Sequence, residues 1–250
     1  MKNTDVPDPG NEWSGTSPLT SRTPIDVVAR ALASEQTVMD TLQRIVNTAN
    51  QTIEGCSGAG ILLVERRRMV VGAWSSDLVR RAEEMEFEVG EGPCVDALWM
   101  RPLVESPDLR DQISIWPNFA QRAIDMGIES MLAFRLFSTK ETLGALDLYS
   151  TQRGVFDETT RAFASVFAGH AALALAGAQV HERDLATADG LREALASRDL
   201  IGQAKGILMA SSKIDADTAF ELLRNESQKQ NVKVRLIAEQ VVAAGNLTSA

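Results

Sequence analysis

Cysteine is scarce in this chain. Its two thiols, Cys56 and Cys94, argue against a disulfide scaffold. There is no C-x-x-C pair and the only histidines are His170 and His181, so a zinc finger or ribbon is not expected. No uninterrupted apolar run approaches the ~18 residues that a membrane span needs. The N-terminus is polar and shows no apolar signal region, so the expected compartment is the cytoplasm and no membrane partner is expected. No Gly-rich phosphate loop follows a strand-like run. Neither histidine has a Ser or Cys context that would suggest a nucleophilic triad. Paired carboxylates at Glu83-Glu84 read as the solvated side of a helix. From these residues no enzyme activity is expected.

The 250 residues have an ordinary globular composition, 44% hydrophobic and 24% charged, with enough apolar material for a sizeable core. The net charge of −9 is uneven. Residues 185–250 hold eight basic and eight acidic side chains, so the whole excess lies in residues 1–184, with 17 basic and 26 acidic ones. A globally acidic chain is a poor nonspecific ligand for nucleic acid. A neutral segment with its bases on one face can still bind it locally.

Residues 1–24 carry Pro7, Pro9, Pro18 and Pro24 among many Ser and Thr, and read as a disordered tail. Val28, Leu32, Leu42, Ile45, Ala49 and Ile53 then predict a helix over 25–54. Apolar runs at 59–64 and 69–74, separated by Glu65-Arg66-Arg67-Arg68, predict a hairpin with charges at its turn. A helix capped by Ser76 or Asp77 is expected over 77–85. A turn at Gly90, Gly92 and Pro93 leads into a helical turn over 94–100. An extended piece at 102–104, a helix over 116–126 and strands at 130–137 and 142–149 follow. Strand-like runs interleaved with helices and adjacent near both ends predict an α+β domain: an antiparallel sheet with flanking helices.

Everything after Asp157 reads as helical. A row at intervals of seven runs through Val166, Leu173, Val180, Thr187, Ala194, Ile201 and Leu208, while its companion row is poor. This predicts one long helix with Gly177 and Gly190 as candidate breaks, and not a clean coiled coil. The helix should end near Ser211-Ser212-Lys213. Asp215 then caps a helix over 216–228 with Ala219, Phe220, Leu222 and Leu223 inward. A last helix over 234–243 should bury Val234, Ile237, Ala238, Val241 and Val242. The expected organisation is a tail at 1–24, a helix plus α+β domain at 25–180, and a linker helix with a three-helix bundle at 181–250.

Residues 191–242 resemble the ANTAR domain. The resemblance rests on Ala194-Leu195, Arg198, Ile201 and Gln203-Ala204-Lys205-Gly206-Ile207-Leu208-Met209, then Ala219-Phe220 and Leu222-Leu223-Arg224, then Asn231, Lys233, Val234 and Ile237-Ala238. It implies a small RNA-binding module that grips paired hairpins in nascent transcripts and lets the polymerase read through a terminator. It also implies a homodimer, for which the long helix is the candidate interface. The residues are compatible with that role. Gly206 in a helix costs ~1 kcal/mol against Ala, which suggests close approach by another backbone beside Ala204 and Gly206. Lys205 lies between them and Arg198 seven residues earlier on the same face, both able to reach phosphates. Lys213, Lys229, Lys233 and Arg235 at the helix junctions would extend the patch. The plainer reading is tight helix packing at Ala204 and Gly206, with solvated bases around it.

Residues 37 to about 180 resemble a GAF domain of the kind fused to ANTAR. The carrying residues are Val89-Gly90-Glu91-Gly92-Pro93-Cys94-Val95-Asp96-Ala97-Leu98, Trp116-Pro117-Asn118-Phe119, Thr142-Leu143-Gly144-Ala145-Leu146-Asp147-Leu148-Tyr149-Ser150 and Phe156-Asp157. The resemblance implies a sensor with an apolar pocket between sheet and helices, and an unidentified small-molecule ligand. The cofactor stays unknown: no phosphate clamp, no Cys-His pair for a bilin and no clear haem ligand stands out. Trp74, Cys94, Trp99 and Trp116 are candidate pocket residues, with core filling as the plainer alternative. Cys94 is read first as a small core residue and second as a redox thiol at a helix start. Some GAF domains reduce free methionine sulfoxide with several cysteines, and this chain has two. A helical bundle that docks on a protein partner is the alternative to RNA binding.

Overall fold

In the computed structural model the described residues are 32, 37–65, 68–139 and 141–245. The expected tail at 1–24, Val28, and Arg66-Arg67 of the hairpin turn lie outside them. Two compact units divide the chain, residues 1–179 and 180–250.

The first unit begins with helix α1 (Val38–Thr52), where the Thr37 side chain accepts the Asp40 N–H at 3.1 Å and so satisfies one of the open donors of the first turn. Its stripe Leu42, Ile45, Val46 and Ala49 is fully buried, as the spacing predicts. The hairpin β1 (Gly58–Glu65) and β2 (Arg68–Trp74) follows. Helix α2 (Asp77–Val89) is capped by Ser76 and closed by Gly90 in the left-handed region, one turn later than expected. Helix α3 (Pro93–Trp99) has Pro at its first position, where the missing N–H costs nothing. Strand β3 (Leu103–Ser106) and helix α4 (Phe119–Asp125) come next. The predicted helix over 116–126 is shortened at its start because Trp116, Pro117 and Asn118 form turns.

Strands β4 (Ser130–Phe137) and β5 (Thr142–Ser150) complete a five-stranded sheet of order β2-β1-β5-β4-β3. Every pairing is antiparallel. Side chains alternate across the strands, so each strand feeds two cores. One face packs Ile61, Leu63, Leu146 and Leu148 against α1 and against Phe167, Ala171 and Leu175. The other face packs Leu62, Ala145 and Tyr149 against Val79 and Ala82 of α2, Cys94 and Leu98 of α3, and Phe119 of α4.

Helix α5 (Glu158–Ser212) runs for 55 residues, and Gly177 and Gly190 do not break it. It contains an 18-residue window of mean hydropathy 1.4, long and apolar enough by composition to cross a membrane, of which 39% is buried inside the protein. Phe167, Ala171 and Leu175 on this helix fill the sheet core, as the core helix of a soluble domain does.

In the second unit, α6 (Ala216–Gln230) and α7 (Val234–Ala244) pack on the end of α5. Their core is Ala204, Leu208, Ala219, Leu223, Ile237, Ala238 and Val241. Two inward assignments are corrected: Phe220 and Leu222 are 38% and 37% exposed. Ala219 and Leu223, four residues apart, already fill the narrow seam, and their neighbours turn away from it. Val234 and Val242 are only partly buried.

Candidate functional site

The sheet face beneath α2 and α3 buries an acidic cluster. Asp147 sits on β5, opposite Gly60 of β1 and Ala133 of β4. Both neighbours are small, which opens room beside a carboxylate on an inner strand. Tyr149 follows two residues on, on the same face. On α2 the apolar residues Val79, Ala82 and Met85 interleave with Glu83 and Glu86, and all five are buried. Glu83 and Glu86 therefore point at the sheet, not at water. Cys94 enters from the first turn of α3.

Tyr149 donates its hydroxyl to Glu83 Oε1 at 3.0 Å. The Cys94 N–H donates to Glu86 Oε1 at 2.7 Å. The remaining oxygens, Glu83 Oε2, Glu86 Oε2 and both oxygens of Asp147, have no hydrogen-bond donor. One ligand atom from each of Glu83, Glu86, Cys94 and Asp147 lies within 4.8 Å of the others. Two glycines make the space. A Cβ on Gly60 would overlap the Glu83 carboxylate, and a Cβ on Gly92, whose φ is +140°, would overlap that of Glu86.

The electrostatics follow from burial. Desolvation pushes Glu83 up to about 8, against the opposing help of the Tyr149 hydroxyl. Glu86 is raised well above the carboxylate range by burial and then by the charge of Glu83. Asp147 is raised by burial and then by Glu83 and Glu86. The Cys94 thiol and the Tyr149 phenol are raised by the same causes. Such a cluster can hold protons or a cation.

One expectation is corrected here and one alternative set aside, Cys94 being the buried core residue of its first reading. Glu83-Glu84 is not a solvated pair: Glu83 is fully buried, while Glu84 pairs with Arg80 at 2.7 Å on the outside. Cys94 is no stabilised thiolate at a helix start, because burial and three neighbouring acids outweigh the helix terminus. Of the four candidate pocket residues, Cys94 and Trp116 share one buried core, whereas Trp74 and Trp99 are 38% and 52% exposed. The structure does not gather the tryptophans around one pocket. Glu91 of the Gly-Glu-Gly-Pro-Cys run has a structural role: its carboxylate accepts the backbone N–H groups of Asn118 and Phe119 at the start of α4.

Among the bundle's candidate residues, Ala204 is fully buried in the seam and out of reach of any ligand. Its small size serves helix packing. Gly206 is exposed, and nothing lies near a Cβ placed there. Arg198 is exposed and Lys205 half-buried, with its Nζ 5.8 Å from the centre of the Phe220 ring. This is a cation over an aromatic face at the surface. Lys213 takes a left-handed backbone with φ 53° between α5 and α6. Lys229 pairs with Glu226 at 3.4 Å. Lys233 caps α7, and with Arg235 it lines a shallow cleft of about 380 Å³ beside Glu193, Ala194 and Ile201 of α5. The Arg235 Nε is buried without a partner. Phe220 was missed as a surface residue, although its register one position past Ala219 was a usable signal.

Comparison with known proteins agrees with this division. A GAF domain model matches residues 35–176, and an ANTAR domain model matches residues 189–242. No curated protein matches the chain. Among solved structures, a domain of a putative two-component sensor histidine kinase from Sinorhizobium meliloti 1021 is similar at 14% identity and a TM-score of 0.50. That match covers 60% of this chain and 98% of that one. The GAF domain of an Acinetobacter phosphoenolpyruvate-protein phosphotransferase is 16% identical, with a TM-score of 0.49 over 63% of this chain and 93% of the other. A free methionine-R-sulfoxide reductase from Neisseria meningitidis, in complex with its substrate, is 18% identical, with a TM-score of 0.49 over 62% and 87% of the two chains. With the antiparallel sheet flanked by helices and a separate helical bundle after it, the chain belongs to the GAF domain family and carries an ANTAR domain at its C-terminal end.

Proposed function

We propose that this protein is a signal-responsive RNA-binding regulator. In this reading the ANTAR bundle grips hairpins in nascent transcripts and promotes antitermination by the transcribing polymerase, under control of the GAF domain. The observation that carries the reading is the ANTAR match over 189–242. The exposed Arg198 and the Lys205–Phe220 pair support it further. A cation beside an aromatic ring suits a phosphate next to an unstacked base. Arg198, Lys205 and Gly206 form the central contact, and Lys213, Lys229, Lys233 and Arg235 extend it.

The protein acts as a homodimer in the cytoplasm, is not an enzyme, and uses no membrane. Support for the dimer comes from α5, where Val166, Leu173, Val180, Leu191 and Leu195 are all 43% exposed or more. On an ideal helix the three in the second unit, Val180, Leu191 and Leu195, fall within about 60° of arc, a stripe that suits a second copy.

The test is RNA crosslinking to the full-length protein in cells, against Lys205→Ala. Enrichment of hairpins upstream of terminators, lost in the variant and weakened steeply by salt in vitro, is the expected result. Salt-insensitive association with a protein and no RNA enrichment would replace this reading with partner docking by the bundle.

A further inference from the structure

We propose that Glu83, Glu86, Cys94 and Asp147 form a buried site for one first-row divalent transition-metal ion, of the zinc class, within the GAF domain. The site stands on sensor residues alone and is independent of whether the bundle binds RNA.

Three observations carry it. First, the four ligand atoms lie within 4.8 Å of one another. In a tetrahedral site, ligand atoms bonded at about 2.0–2.3 Å stand roughly 3.3–3.8 Å apart, so the widest pair closes by about 1 Å when the ion enters. Second, Asp147 is fully buried on an inner strand, and its oxygens have no geometric hydrogen-bond partner; the polar groups that face them are the Cys94 thiol and the Glu83 carboxyl of the same cluster. A buried carboxylate without a partner costs several kcal/mol, and native proteins rarely leave one so. One oxygen of Glu83 and one of Glu86 face the same cluster, also without donors. Third, the backbone has made room: Gly60 and Gly92 lack the Cβ atoms that would displace the Glu83 and Glu86 carboxylates.

The chemistry of the donors narrows the ion. Magnesium and calcium take oxygen ligands and dispense with sulfur. One thiolate with three carboxylates suits zinc, ferrous iron or cobalt, whose softness tolerates both. The Cys94 N–H to Glu86 and the Tyr149 hydroxyl to Glu83 supply the outer hydrogen bonds that aim ligating carboxylates. On binding, the cluster releases two protons to solvent, that of Cys94 and one from the carboxyls; the ion's two positive charges replace them, and the remaining carboxyls keep theirs.

The burial of the site means that loading accompanies folding, so the test starts from unfolded chain. Full-length protein is stripped with chelator in denaturant, refolded with zinc or cobalt(II), and desalted. The expected content is about one ion per chain, with a higher melting temperature than the metal-free protein. The cobalt form should show a near-ultraviolet thiolate-to-metal band. Cys94→Ser should lose that band, and Asp147→Asn should weaken binding at least about tenfold. Folded wild-type protein that retains no ion, or a cobalt form without the thiolate band, overturns the site. Equal metal retention in folded Cys94→Ser and Asp147→Asn overturns it as well. Should either variant fail to fold, the wild-type spectrum and metal content decide the question.

Discussion

The two faces of the sheet bury comparable amounts of side chain but solve different problems. The face under α1 and α5 packs apolar side chains from Leu42 and Ile45 to Phe167 and Leu175 and, among the described residues, buries no charged one. The face under α2 and α3 packs Tyr149, Phe119 and Leu98 around three carboxylates and a thiol. The first is what hydrophobic burial needs for stability. The second gives up stability, since desolvated acids oppose folding unless a proton or a cation offsets them. The difference teaches that the face under α1 and α5 is given over to apolar packing, while the face under α2 and α3 combines an apolar core with desolvated acids.

The comparison can be broken or sharpened by measurement. The largest effect belongs to the apolar face: Phe167→Ala should cost about 3–5 kcal/mol through the cavity it leaves, seen as a lower urea midpoint. On the acidic face, Gly60→Ala should cost about 1–3 kcal/mol because the added methyl strikes Glu83. Adding Glu83→Ala to the same chain should recover part of that loss, and simple additivity in the double-mutant cycle would refute the contact.

Next comes pH. The Glu83 carboxyl moves from 4.5 to about 8 on folding, so between those values the folded chain binds a proton that the unfolded chain has released. In chelator, stability should therefore fall as pH rises across this window, by up to about 1.4 kcal/mol per unit for this group. Denaturant midpoints of Glu83→Gln, compared with wild type at each pH, should show a shallower slope. The smallest effect is expected for Tyr149→Phe, which removes the hydroxyl donated to Glu83. It should cost on the order of 1 kcal/mol and push Glu83 higher still, read as a shift of the pH transition.

Most of the architecture was legible in the residues. Spacing of three and four placed α1, and Leu42, Ile45 and Ala49 are buried as expected. Short apolar runs placed β1 and β2, strands were expected where β4 and β5 lie, Asp215 was read as a cap, and Ser76 was one of two candidates for the other. Local rules suffice there because helix and strand periods are short-range properties. The acidic cluster was legible only in fragments. Glu83 and Glu86 continue the apolar register of Val79 and Ala82, and Asp147 interrupts an otherwise apolar strand. Each taken alone reads as a tolerable exposed charge. Phe220 and Leu222 failed in the opposite sense: apolar residues on an amphipathic helix, left outside because Ala219 and Leu223 complete the seam.

The sequence by itself determined the order of helices and strands, the GAF and ANTAR register of its motifs, and the neutral basic-and-acidic balance of residues 185–250. These depend on neighbours within a few positions, where side-chain direction follows from backbone period. Only the tertiary structure decided that Glu83, Glu86, Cys94 and Asp147 meet in one dry volume opened by Gly60 and Gly92. That meeting depends on which helix covers which face of the sheet, and on the Cβ atoms missing from Gly60 on the neighbouring strand and Gly92 before α3. No local pattern encodes either.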